Sequence, residues 1–112
     1  MIEGFLRDFL ADYLDDPVYI DVPKDHPNEY FVIEKTGSSR TDHIWESVFA
    51  IQSYGVSFYN AASMINRVND LMLDELIKED RVSDVSLNGS SNFTDTTKKQ
   101  PRYQSVFVVT HY

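Results

Sequence analysis

The chain of 112 residues contains no cysteine, which excludes disulfide bonds and metal sites built from thiolates. It also lacks any apolar stretch approaching the ~20 residues that a membrane-spanning helix needs. No basic segment precedes the first amphipathic pattern, so we expect no signal peptide. These absences favour an intracellular, reducing location.

Positive charge is scarce as well. Ten Lys and Arg residues face 18 acids, for a net charge of -8. In residues 1–34, nine acids face only Arg7 and Lys24, whereas residues 35–112 are nearly balanced. Affinity for nucleic acid comes mainly from Lys and Arg that neutralise phosphates, so the acidic first third disfavours broad phosphate binding. Its simplest interpretation is a solvated acidic face that keeps the protein soluble.

The remaining composition is that of one folded domain spanning residues 1–112. Hydrophobic residues make up 42% of the chain and aromatic residues 13%, which argues against disorder. Apolar periodicity predicts helices over 2–14 and 58–79, and strands over 18–22, 30–36, 43–54, 82–87 and 103–110. The order α-β-β-β-α-β-β predicts an α+β fold, a mostly antiparallel sheet with two amphipathic helices packed on one face.

Local signals refine this arrangement. Gly37 to Arg40 is expected to form a turn, with Gly37 at positive φ, that joins the second and third strands as a hairpin. Ser57 is a candidate N-cap of the second helix. Asn88 to Pro101 is polar and long for a connection, so we expect a loop that is mobile alone and orders on assembly.

Two segments are typical of docking surfaces. Pro23 and Pro27 bracket a charged loop that contains Lys24 and Asp25, which predicts a rigid, presented loop. Lys98, Lys99 and Arg102 form a basic cluster. This cluster is either a solvated loop or a basic finger that meets an acidic surface on a partner or on a second copy.

Signals for catalysis are weak throughout. The three histidines, His26, His43 and His111, are scattered without a metal-ligand spacing, so only tertiary contacts can assemble a metal site. Ser38 and Ser39 lack the surroundings of an activated nucleophile, and the glycine pattern of a phosphate-binding loop is missing. We therefore expect no enzymatic activity, no cofactor and no metal.

Several motifs follow one another in an order that is characteristic of one family. They are a first amphipathic helix, a VP-x(3)-P loop (Val22, Pro23, Pro27), a TG-x-x-R turn (Thr36, Gly37, Arg40) followed by Asp42, a strand ending in QSYG (residues 52–55), an Ala-rich helix (Ala61, Ala62), and F-x-D-x(5)-PRYQ (Phe93, Asp95, residues 101–104). Along residues 5–108 the chain resembles the tail terminator, or tail completion, proteins of long-tailed phages and prophages. Ser38 departs from the pattern, in which a second glycine is expected after Gly37.

The resemblance implies a non-enzymatic virion protein of the phage tail. Such proteins form a ring, implied to be hexameric, that caps the finished tail tube, stops its polymerisation and joins it to the head connector. The implied partners are copies of the chain, the tube protein, the connector, and DNA that passes through the lumen without sequence-specific binding; no membrane is involved. The implied location is the host cytoplasm during assembly and then the virion tail. The predicted partner-binding residues are Lys24, Asp25, Gly37, Arg40, Phe93, Asp95, Lys98, Lys99 and Arg102.

Other functions remain open at this point. A small α+β ligand-binding module or enzyme subunit would have an enclosed pocket of roughly 300–1,000 Å³, expected between the second helix and the sheet. A different connector of the same virion would differ only in the partners that it contacts.

Overall fold

A computed structural model describes residues 2–94 and 100–112 of the chain. In this part, two helices pack against a sheet of five strands. The elements are α1 (Ile2–Tyr13), β1 (Val18–Tyr19), β2 (Tyr30–Thr41), β3 (Ile44–Tyr54), α2 (Phe58–Asp70), β4 (Val82–Asn92) and β5 (Arg102–His111). The sheet order is β1-β2-β3-β5-β4, and all pairs are antiparallel except the short parallel pair β1–β2. The predicted α+β fold is confirmed.

The core lies between the helices and one face of the sheet. The apolar stripe of α1 is buried at Ile2, Leu6, Phe9 and Leu10, and that of α2 at Ala61, Ile65 and Val68. The sheet contributes every second residue of its central strands: Phe31, Ile33, Phe49, Ile51, Phe107 and Val109. An 11-residue strand spans about 36 Å, so the 44 Å long dimension of the molecule runs along the strands.

The other face of the sheet carries no helix, and we call it the open face. Alternation places the valines Val32, Val48, Val106 and Val108 there, each only half-buried. Polar groups lie among them: the amide of Gln52 donates to the amide oxygen of Gln104 at 2.8 Å. The open face is therefore a mixed apolar and polar surface.

The predicted turn at Gly37 to Arg40 is wrong. β2 continues to Thr41, and the chain reverses at Asp42 and His43, whose φ values are 50° and 68°. A two-residue hairpin turn with positive φ at both positions matches the twist of the flanking strands, and Asp and His tolerate this conformation better than most residues. Gly37 has no positive φ and lies next to a β-bulge between Lys35 and Gly37. The hairpin itself is confirmed.

Two further elements, β1 and α2, end earlier than the sequence predicts. β1 ends at Tyr19 instead of Val22, and residues 21–28 form an exposed segment. The regular part of α2 ends at Asp70, after which Leu71–Glu75 is a π-turn, closed by the amide of Leu76 donating to the carbonyl of Leu71, and Leu76–Lys78 is a 3-10 turn. These turns keep Leu71, Met72 and Leu76 buried.

The polar segment from Asn88 was predicted as a loop, but β4 extends to Asn92. Its backbone pairs with β5 as far as Asn92 opposite Tyr103. Ser, Asn and Gly disfavour a strand on propensity alone, and the ladder with β5 overrides that preference. The loop is thus shorter than expected, and residues 95–99 lie outside the described part.

The connection from β3 to α2 is very tight. The amide of Gly55 donates to the carbonyl of Pro101 at 3.0 Å, and the Ser57 hydroxyl caps α2 by accepting from the amide of Asn60 at 3.0 Å, as predicted. A carboxylate oxygen of Glu29 accepts from the amide of Val56 at 3.0 Å and from the Asn60 side chain at 3.3 Å. Glu29 therefore ties the loop before β2 to the start of α2.

Candidate partner-binding surfaces

One end of the sheet carries a row of aromatic rings and one guanidinium group, which we call the aromatic ladder: His26, Tyr30, Tyr54, Arg102 and Phe93. The Tyr30 and Tyr54 rings are stacked, with centroids 4.6 Å apart and planes 9° from parallel. His26 packs on the outer side of Tyr30 at 4.5 Å. The pairing of Tyr30 with Tyr54 and of Tyr54 with Arg102 across three strands builds this row.

Arg102 joins the ladder to the end of β4. Its guanidinium lies 5.5 Å from the Tyr54 ring centroid and 4.8 Å from that of Phe93. It donates to the Tyr54 hydroxyl and to the Phe93 carbonyl, each at 2.9 Å. Arg102 is therefore bonded within the fold, which disfavours the solvated-loop alternative for this residue, and its part in partner binding stays a prediction. Phe93, 48% exposed, presents an aromatic face to solvent beside this cation.

The acidic segment 15–29 lies at the same end. It holds five acids against Lys24, and Lys24 and Asp25 are exposed on it, as a docking loop requires. Burial raises the pKa of Asp16, and the neighbouring charges of Glu29 and Asp15 raise it further. The segment also meets the β4–β5 connection of its own chain, because the Gln100 amide donates to the carbonyl of Asn28 at 2.8 Å.

The opposite end of the sheet is the hairpin tip, residues 40–45. The Arg40 guanidinium lies 5.5 Å from the Trp45 ring centroid and 2.9 Å from the His43 ring nitrogen Nδ1. Ile44 and Trp45 are 41% and 37% exposed, respectively. Arg and Trp are the residue types that most often dominate binding energy at protein interfaces. The tip is thus a second exposed cation and aromatic cluster.

The predicted partner-binding residues separate into two groups. Lys24, Asp25, Phe93 and Arg102 lie at the ladder end, whereas Arg40 lies at the tip, with Gly37 half-buried on the strand that leads to it. Asp95, Lys98 and Lys99 lie outside the described residues. The described members of this set do not form a single site; they are divided between the two ends of the sheet.

A buried pair that the sequence did not reveal lies near the tip. The Ser47 hydroxyl and the His111 ring nitrogen Nε2 are 2.8 Å apart, and both side chains are buried. They border a recess of about 280 Å³ with Lys35, Arg81 and Trp45 around it. Diagonal neighbours on β3 and β5 meet here, so the register was needed to find them.

The pair lacks the features of an activated nucleophile. Ser47 is only 1% exposed, and the other ring nitrogen of His111 has a backbone carbonyl, that of Tyr112, at 3.4 Å. A catalytic serine needs access to substrate, and its histidine is usually oriented by a third group. The arrangement is typical of a buried serine hydroxyl on β3 that is hydrogen-bonded to a histidine side chain on β5. Lack of catalytic activity stays a prediction.

Acidification is expected to destabilise the fold through His111. Burial lowers its pKa, and the charges of Arg81 and Lys35 also lower it, which together outweigh a backbone hydrogen bond at Tyr112 that raises it. The unfolded chain then binds a proton more readily than the folded one, so the stabilisation is complete above the ordinary histidine pKa of ~6.5 and is lost as pH falls below it. Urea denaturation at pH 7 and pH 5 measures this loss. In His111→Gln the decrease should be smaller than in the wild type; an equal decrease would contradict the assignment.

The expected ligand pocket between α2 and the sheet has only a modest counterpart. A recess of about 230 Å³, open to solvent, lies between the end of α1 and α2, with Phe31 on the sheet side and Met64 and Arg67 on α2. Ligand sites are commonly ~300–1,000 Å³ and enclosed.

Across residues 2–94 and 100–112, no three His, Asp or Glu side chains are grouped to hold a metal ion. Nor does this part contain a helix with the length and apolarity to cross a membrane.

Comparison of the chain with protein-family models and with curated protein sequences found no match. The assignment of function therefore depends on the sequence motifs and on the surfaces described above.

Proposed function

We propose that this chain is a tail terminator of a long-tailed phage or prophage. In this function it assembles as a ring on the finished tail tube, stops tube polymerisation and presents its far side to the head connector. The protein works by binding, without catalysis or a cofactor. DNA passes through the ring without sequence-specific contacts.

The observation that carries the proposal is a cation and aromatic cluster at each end of one sheet, with Phe93 exposed at one end and Ile44 and Trp45 exposed at the other. The aromatic ladder and the hairpin tip terminate the same β2–β3 hairpin, since Tyr30 pairs with Tyr54 at one end and Thr41 with Ile44 at the other. A protein that sits between two partners stacked along an axis needs a contact surface at each end. A ligand-binding module has no such need.

The two ends also differ chemically, as two different partners require. The ladder end lies beside the acidic segment 15–29, whereas the tip presents Arg40, His43 and Trp45. Electrostatic complementarity selects partners and excludes wrong ones. A ring with an acidic end and an end bearing Arg and Trp therefore has a defined polarity on the tube.

The open face supports the passage of DNA. By alternation along the strands, its acids are Glu34, Glu46 and Asp84, and its one base among the described strand residues is Arg102. A surface with a surplus of carboxylates does not hold phosphates, because counterion release needs Lys and Arg. If this face lines the lumen, DNA slides past it.

Variants of the two ends are expected to separate the two steps of tail completion. Ile44→Glu with Trp45→Ala alters the tip, and Asp21→Lys with Asp25→Lys reverses charge at the ladder end. One variant should fail to cap tail tubes, and the other should cap them but fail to join heads. Electron microscopy of tubes and a head-joining assay measure the two steps.

A matched control carries the same charge change on the helix layer. Asp8→Lys with Asp70→Lys alters two exposed helix residues and should leave both steps intact. Circular dichroism checks that every variant is folded. If both end variants cap tubes and join heads as well as the control does, the two ends are not the partner surfaces and the proposal is wrong.

A further inference from the structure

β4 is an edge strand with little protection. Among the described residues it pairs only with β5, so its outer side is open from Val82 to Asn92. This stretch contains a single charge, Asp84, and no proline or lysine. Natural proteins protect edges of this length with lysine, proline or a covering segment, since an open edge pairs with other chains. β4 has two bulges, and regular pairing remains over residues 84–87 and 89–92.

The sheet has a second open edge on its other side. β1 pairs with β2 only at Phe31 and Val32, so β2 is uncovered from Ile33 to Thr41. This edge carries Lys35, Arg40 and one acid, Glu34, and the Lys35 ammonium already pairs with Glu3 of α1 at 3.6 Å. Residues 33–41 therefore form a second strand edge without a neighbouring strand among the described residues.

The two open edges lie at the same position along the strand direction, and we call this position the height. Successive cross-strand partners put Ser39 of β2 level with Asp84 of β4. By the same route, Ile33 is level with Ser90. Two copies placed side by side at the same height thus bring equal lengths of free backbone together.

The directions of the strands also suit this arrangement. Three antiparallel steps separate β2 from β4, so the two strands run in opposite directions. A neighbour in the same orientation places its β2 antiparallel to the first copy's β4, and all helices stay on one side. A contact of this kind, repeated from copy to copy, is heterologous, and such contacts form a ring where the rotation between copies closes.

Strand usage favours this pairing over a two-fold contact between two copies of β4. At equal height, Asp84, the single charge of the β4 edge, lies opposite the uncharged Ser39 of the next copy. A two-fold contact through β4 is isologous and leaves both β2 edges unpaired, so it closes as a dimer and forms no ring.

We propose that copies of this chain join by pairing residues 84–90 of β4 in one copy with residues 33–39 of β2 in the next, so that the ring is one continuous antiparallel sheet. The inference rests on the ring assembly in the proposed function. It assigns the lateral contact to the sheet edges and leaves the ladder and the hairpin tip for the axial partners.

Cysteine cross-linking tests this pairing directly, because the chain has no cysteine of its own. Ser39→Cys and Ser86→Cys place one thiol on each edge, both on the open face. The two full-length variants are mixed and treated with a short bis-maleimide, first alone and then with tail tubes. The expected product is a cross-link between the two different variants, while Ser63→Cys on α2 mixed with either variant gives none.

The outcomes separate this inference from the proposed function. A cross-linked product formed by the Ser86→Cys variant alone would indicate a two-fold contact between two β4 strands. If no mixed product forms either with or without tubes, edge pairing is excluded. Either result overturns the inference. Tubes capped without a mixed product would leave the proposed function standing. A mixed product without capping would support the edge contact and contradict the proposed function.

Discussion

Phe107→Ala is expected to lower the free energy of unfolding by about 3–5 kcal/mol, because a large buried side chain is lost and the cavity closes only partly. Phe107 is 0% exposed at the centre of β5, within the core between the sheet and the helices. Urea denaturation of the wild type and the variant measures the difference.

Phe58→Ala is the matched control, because this side chain is 53% exposed at the start of α2. Its cost should stay within about 0.5 kcal/mol, as for most surface substitutions. Equal denaturation midpoints for Phe107→Ala and Phe58→Ala would show that β5 does not supply the centre of the core.

Gly55→Ala should also destabilise the protein, by about 1–3 kcal/mol or more, although it adds a single methyl group. A Cβ at this position would lie 2.6 Å from the backbone nitrogen of Ala61 and 2.9 Å from its Cα. These are backbone atoms of α2, held by the Ser53 hydroxyl that donates to the Ala61 carbonyl at 2.7 Å. The helix must therefore shift to admit the methyl group.

Gly37→Ala tests whether the effect belongs to this contact. A Cβ at Gly37 meets no atom within 4 Å, and the residue has no positive φ. We expect little change, or a small gain from the lower entropy of the unfolded chain. Thermal unfolding of both variants measures the difference. Comparable decreases in unfolding temperature would mean that Gly55 is not sterically constrained.

The elements and the core were largely predictable from the sequence. The apolar stripes of α1 and α2 and the alternation along β3 report burial directly, since the period of each element fixes the face of its side chains. The Ser57 cap was predictable as well, because Ser favours that position for a local chemical reason.

The aromatic ladder was not predictable because the hairpin turn was misplaced. A turn centred on Ser38 and Ser39 would have put Tyr30 opposite Ser47. The turn at Asp42 and His43 instead puts Tyr30 opposite Tyr54. Asp42 and His43 are a weak sequence signal for a hairpin turn, because neither residue is glycine. Gly37 is a stronger turn signal, but in this protein it lies at a β-bulge.

The Ser47 and His111 pair and the open edge of β4 depend on tertiary pairing in the same way. Ser47 and His111 are 64 residues apart in sequence and meet only through the β3–β5 register. The polar residues of β4 resemble a loop until their backbone is paired with β5. Local patterns do not report such long-range register.

The most direct test of the central proposal is a tube growth experiment. Tail tubes are incubated with the purified protein, fresh tube protein is added, and tube lengths are measured by electron microscopy. We expect extra density at one end of each tube and no further growth there, while untreated tubes elongate. If treated and untreated tubes elongate at the same rate, the chain does not terminate tails.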